Sequence, residues 1–191
     1  MERIDATRAR DHLAMVERIL AESQPKLCAG GEYFLIWGIG SAYVTLLFTL
    51  ANRGLVPSAA LWSGPVVLGF CVLFSILRGR STRRALRASL VQREFFNVLW
   101  LTIGLAFVVN VGAYRIFAGT ASAAIWSVAE SIVLLYIGMH GNRRAIVAGT
   151  LVIVSLVVAN FASAAFVGYI LAAGMLVGYA GFGASELLAR D

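Results

Sequence analysis

Six apolar blocks of about 18 to 24 residues, parted by short polar joints, constrain this chain more than any other feature, because about 20 residues rising about 1.5 Å each cross the hydrocarbon of a bilayer. Inside lipid no water is present to satisfy backbone N–H and C=O groups. A block of this length must therefore satisfy them internally, as an α-helix. Composition agrees: 60% of the 191 residues are hydrophobic and 14% are charged, where a soluble domain has about 45–50% and about 25%. The expected fold is an all-α membrane protein, with six transmembrane helices in three hairpins behind an N-terminal amphipathic helix. Residues 1–32 form the cytoplasmic helix and its linker, and residues 33–188 the transmembrane domain.

Ile4–Ser23 places Ala6, Ala9, Leu13, Val16, Ile19 and Leu20 on one stripe at 100° per residue. Pro25 and the Gly30-Gly31 pair end that helix. Met1–Glu32 holds eleven charged residues and no apolar core of a secretory signal, so the first span is expected to stay in the mature chain. The spans are expected at Tyr33–Ala51, Ala59–Leu77, Phe95–Phe117, Ala121–Met139, Ala145–Ala162 and Ala164–Leu187.

Charge gives the orientation. Of the 16 Lys and Arg residues, 14 lie before span one, between spans two and three, between four and five, or after six. Only Arg53 and Arg115 fall on the other side. The positive-inside rule then puts both termini in the cytoplasm, in keeping with an even number of spans, and makes the plasma membrane the expected location. Fifteen of the 16 basic residues are Arg. Arg80, Arg83, Arg84 and Arg87, in the joint after span two, are expected to hold anionic lipid headgroups. Nucleic acid is rejected as a partner: the basic residues stand where topology needs them, and no aromatic platform lies among them. Cys28 and Cys71 are both placed in or near the cytoplasmic half, so no disulfide is expected.

Two segments resemble each other. Glu32-Tyr33-Phe34 with Trp37 resembles Glu94-Phe95-Phe96 with Trp100, and Ser58-Ala59-Ala60-Leu61-Trp62-Ser63 resembles Ser122-Ala123-Ala124-Ile125-Trp126-Ser127. Duplication of a hairpin explains this. So does the ordinary composition of interfacial belts, which would put Trp37 and Trp100 at the inner face and Trp62 and Trp126 at the outer. The match aligns Glu130 with Val66, beside Gly64-Pro65. Pro65 removes a backbone hydrogen bond, so Gly64-Pro65 is expected to kink span two.

Glu130, at the middle of Ala121–Met139, is the sole acidic side chain near the centre of any span. An ionised group there costs about 2.5–3.5 kcal/mol. Counting from a turn at Gly119, Asn110 lies nine residues before it and Glu130 eleven after. The difference is about 3 Å of depth, which makes Asn110 the expected hydrogen-bond partner. Two roles follow: a neutral acid clamping spans three and four through Asn110, or a proton or cation site. The clamp ranks ahead, since one acid without a second ionisable group is a poor relay. Gly174 and Gly178 in span six form a GxxxG, which allows close helix packing, within the chain or against a second copy.

The enzymatic reading has little support. His12 and His140 are both expected at the cytoplasmic edge and lie far apart in sequence, and the chain has no HExxH, Gly-x-Ser-x-Gly or phosphate-binding Gly-rich loop. No cofactor or metal is expected. Two function classes stand. One is a small transporter or channel for a proton, ion or small solute working around Glu130, Asn110 and Pro65; a chain this short would need a homo-oligomer to enclose a pathway. The other is a non-catalytic membrane module, whose N-terminal helix and Arg rim bind a cytoplasmic protein partner or anionic lipid.

Overall fold

The computed structural model describes residues 30–83, 90–112 and 120–189, together with Met15. Its helices are α1 (Gly31–Asn52), a 3-10 turn (Ser58–Trp62) leading into α2 (Ser63–Arg83), α3 (Leu90–Gly112), α4 (Thr120–Met139), α5 (Arg143–Phe161) and α6 (Val167–Gly174). Span six continues from α6 through a π-helical turn, Met175–Ala180, into α7 (Gly181–Leu188). Six of these segments are long and apolar enough to cross a membrane, and the fourth has the expected bounds, Ala121–Met139. The expected N-terminal amphipathic helix lies outside the described residues, Met15 apart. So do the end of span three beyond residue 112, Cys28, Arg84 and Arg87; of Arg80 and Arg83 only the helical backbone is described.

Local chemistry sets the ends of the elements. Gly54 and Gly141 take φ of +69° and +96° in the turns after α1 and α4, a region L side chains enter at a steric cost. Asn142 caps α5, its side-chain oxygen accepting from the backbone N–H groups of Arg144 and Ala145 at 3.1 and 3.3 Å. Arg53 reaches from the turn after α1 to the Ala165 carbonyl at 2.5 Å, with its guanidinium 5.1 Å from the Tyr169 ring centre. That tie fixes the start of span six against the end of α1.

The helices do not share the interior equally. α1 packs along the whole of span six, α4 packs on α5, and α5 packs on span six. These four spans hold the core, where Phe34, Leu134, Ile137, Val152, Tyr179 and Phe182 are buried. α1 and span six come close because glycine faces small partners: a Cβ on Gly31 would meet the Gly183 carbonyl oxygen at 2.5 Å, and one on Gly38 would collide with Ala180. α2 packs chiefly on α1, and α3 chiefly on α4. Both present long apolar faces outward, among them Phe70, Leu73 and Leu77 on α2 and Leu101, Leu105 and Val108 on α3.

Two expectations are corrected. Gly64-Pro65 does not kink a mid-membrane helix: Pro65 falls in the first turn of α2, just after the 3-10 segment. The first turn of a helix has no internal acceptor for its N–H groups, so proline there removes no bond. The tryptophans also divide otherwise than as two belts. Trp62 and Trp100 are exposed, but Trp37 and Trp126 turn inward and line one cavity.

Candidate functional site

α4 carries Ser127, Glu130, Ser131, Leu134 and Gly138 at helical spacing, so all fall on one stripe, and all five are buried. Opposite, α1 sets Trp37, Ser41, Thr45 and Thr49 four residues apart along its own stripe. Where these faces meet lies a cavity of about 30 Å³ lined by Trp37 and Ser41 from α1, Ile103 from α3, Trp126, Ala129, Glu130 and Val133 from α4, and Tyr179 from span six. Four spans thus converge on the Glu130 carboxyl.

The nearby polar groups are mostly engaged elsewhere. The Ser127 and Ser131 hydroxyls donate back to the carbonyls of Ala123 and Ser127, at 3.0 and 2.7 Å. Trp37 donates its indole N–H to Ser75 Oγ on α2 at 2.9 Å. Thr49 donates to the Thr45 carbonyl at 2.7 Å, and Thr45 to the Met175 sulfur at 3.5 Å. Ser41 lines the same cavity as Glu130 and is the hydroxyl that α1 brings to it. The second carboxyl oxygen, Oε2, is buried with no hydrogen-bond partner among the described residues. An orphan acceptor of this kind costs about 1–3 kcal/mol. Native structures keep few of them, and each calls for a reason. The cavity that Glu130 lines is large enough for one or two water-sized groups.

The expected bond from Asn110 to Glu130 is replaced by others. Asn110 donates to the Ala106 carbonyl at 2.8 Å and accepts from the Ser122 hydroxyl. That second contact sets Asn110 level with Ser122, eight residues and about 12 Å along α4 from Glu130. Counting both helices from Gly119 had put Asn110 too deep. The hairpin clamp thereby loses its partner. Gly174 and Gly178 both face α5: a Cβ at Gly174 would overlap Ser155, and one at Gly178 would meet Val152 Cγ2 at 2.5 Å and the Ala148 carbonyl at 2.9 Å. Gly64 is buried and Pro65 exposed, and neither lines the cavity.

Sequence reasoning passed over Ser41, Trp37, Trp126 and Tyr179 as members of this site. A signal for the first two existed: polar or amphipathic residues every fourth position of α1 mark a stripe that faces protein in a helix otherwise fit for lipid. Tyr179 lies in the π-helical turn, next to the Gly178 contact with α5. π-Turns are rare and recur at functional sites, and no sequence pattern announces them. No family model, curated protein or solved structure matches this chain.

Proposed function

We propose that the protein is a small membrane transporter or channel for a proton or small cation, with the Glu130 carboxyl as its exchange site. The observation that supports this is the unpartnered Oε2 of a buried acid that lines a small cavity between four spans. An intramembrane acid that served only as a clamp would be expected to spend both oxygens on the helices it joins. Here one oxygen is left without a partner, and the neighbouring cavity admits a proton, a water or a small cation rather than a bulky solute. The π-turn adds a segment whose backbone register differs from that of its neighbours, set directly against the site. The reading is non-enzymatic and needs no cofactor.

Reconstitution into proteoliposomes under an imposed pH gradient and membrane potential tests it. Wild type should carry proton or monovalent-cation flux well above empty liposomes. Glu130→Gln, which keeps shape and one acceptor but cannot exchange a proton, should lower the flux at least tenfold, and Ser41→Ala should lower it a few-fold. Wild-type flux at the empty-liposome level would sink the proposal and leave the non-catalytic membrane module. Flux untouched in Glu130→Gln, with poorer assembly, would return the acid to a structural role.

A further inference from the structure

A second feature lies away from Glu130, at the end of the bundle where α1 begins and α7 ends. α5 and span six part there to leave a cleft of about 460 Å³. Its walls are Val147 and Leu151 of α5 and Val177 and Phe182 of span six, and its mouth carries Arg143, Arg144 and Ser185. Gly181 keeps the floor open, since a Cβ there would meet only the Leu176 carbonyl, at 3.9 Å.

We propose that this cleft binds one acidic phospholipid, its phosphodiester held by Arg143 and Arg144 and an acyl chain laid between α5 and span six. The charge at the mouth is not cancelled by the neighbouring Glu186. Glu186 accepts from the Asn142 side-chain N–H₂ at 3.1 Å, while Arg144 donates to the Ser185 carbonyl at 3.1 Å. Among the described residues no ion pair involves either arginine. Two exposed arginines thus open α5 and line the mouth, and a guanidinium fork matches phosphate oxygens. Behind them the walls are apolar for about 10 Å, the rise from Arg144 to Leu151. Both walls belong to segments fit to cross a membrane. A free phosphate would satisfy the arginines and leave the apolar part unfilled; a lipid with an anionic headgroup satisfies both ends.

The full-length protein, released in mild detergent, is titrated in native mass spectrometry with phosphatidylglycerol, with phosphatidylcholine of the same acyl chains, and with glycerol 3-phosphate. Two guanidiniums near a headgroup should favour phosphatidylglycerol on the order of tenfold. That preference should vanish in the R143Q/R144Q double variant. It should also vanish in Val177→Trp, which keeps both arginines and fills the cleft from an exposed position. If the double variant does not fold, Val177→Trp decides. Equal binding of the two lipids by wild type overturns the proposal, as does an undiminished preference in Val177→Trp. Competition by glycerol 3-phosphate as strong as by the lipid would reduce the site to a soluble-anion site and overturn the lipid assignment. A shift in oligomeric state in the variants, with lipid preference intact, would assign the cleft to a second copy of the chain.

Discussion

The 3-10 turn that leads into α2 and the start of α4 carry nearly the same residues, Ser-Ala-Ala-Leu-Trp-Ser and Ser-Ala-Ala-Ile-Trp-Ser, and the two helices then part company. The segment containing α2 is the more hydropathic, yet only 11% of its membrane window is buried, against 50% for α4. Trp62 is 77% exposed, while its counterpart Trp126 lines the Glu130 cavity. In water the more apolar helix would be the more buried. In a bilayer, lipid tails are as apolar as leucine, so apolarity does not pull a helix inward. Small and polar side chains do, through close approach and hydrogen bonds that lipid cannot supply. α4 has Ser127, Glu130, Ser131 and Gly138 on its buried stripe; at the corresponding depth α2 shows Val66, Phe70 and Leu73 to the outside.

Core truncation should separate the two most sharply. Leu134→Ala, at a fully buried position on α4, should cost about 2–5 kcal/mol. Leu73→Ala, exposed on α2, should cost less than about 0.5 kcal/mol. Reversible unfolding in mixed micelles measures both. Equal losses would mean that α2 is covered by protein in the membrane, and the comparison would then report an oligomer interface.

The six segments were legible because bilayer thickness imposes their length and the unsatisfied backbone imposes their helicity. The matching bounds of Ala121–Met139 follow from that constraint alone. Which faces meet protein was not legible from apolarity, for the reason α2 and α4 illustrate. Depth counting from Gly119 does not hold at Asn110, because the contact with Ser122 puts Asn110 near the N-terminal end of α4. Pro65 was misread because the start of α2 could not be placed to better than a turn, and proline's effect reverses between the first turn and the interior. Glu130 itself was evident; the residues around it come from α1, α3 and span six, and no local pattern joins those segments.

Moving the acid sharpens the comparison next. Val66→Glu places a carboxyl at the position on α2 that the internal likeness matches with Glu130, but where the side chain is 71% exposed. With no protein groove to enter, it should raise the apparent insertion free energy of that segment by about 2.5–3.5 kcal/mol. A glycosylation-mapping assay of the isolated hairpin reads this directly. Insertion unchanged from wild type would show that the α2 face is wet, and the contrast with Glu130 would dissolve.

Glycine substitutions should differ in sign. A Cβ at Gly138 would press on the Ile146 backbone, at 3.0 Å from its N and 3.2 Å from its Cα, and α5 cannot yield there without separating from α4. Gly138→Ala should therefore cost about 1–3 kcal/mol. At Gly69 on α2 a Cβ meets nothing within 4 Å. Gly69→Ala should gain up to about 1 kcal/mol from reduced backbone freedom in the unfolded helix. Thermal shifts of the two variants in the same detergent compare them; shifts of the same sign would contradict the assigned faces.

The smallest effect concerns the hold that α2 does have. One of its polar attachments to α1 is Ser75, which accepts the Trp37 indole N–H at 2.9 Å and donates to the Cys71 carbonyl at 2.8 Å. Cys71 is buried where Gly40 leaves room for its sulfur: a Cβ on Gly40 would meet it at 2.7 Å. Ser75→Ala should cost about 0.5–1.5 kcal/mol by leaving the indole without its acceptor. Trp37 also lines the Glu130 cavity, so α2, though peripheral, braces one wall of the site through this bond. The same variant should therefore change flux more than a loss of that size elsewhere on α2 does. If Ser75→Ala and Leu73→Ala leave flux equally unaffected, α2 is an outer helix with no bearing on the cavity, and the division between core and periphery is complete.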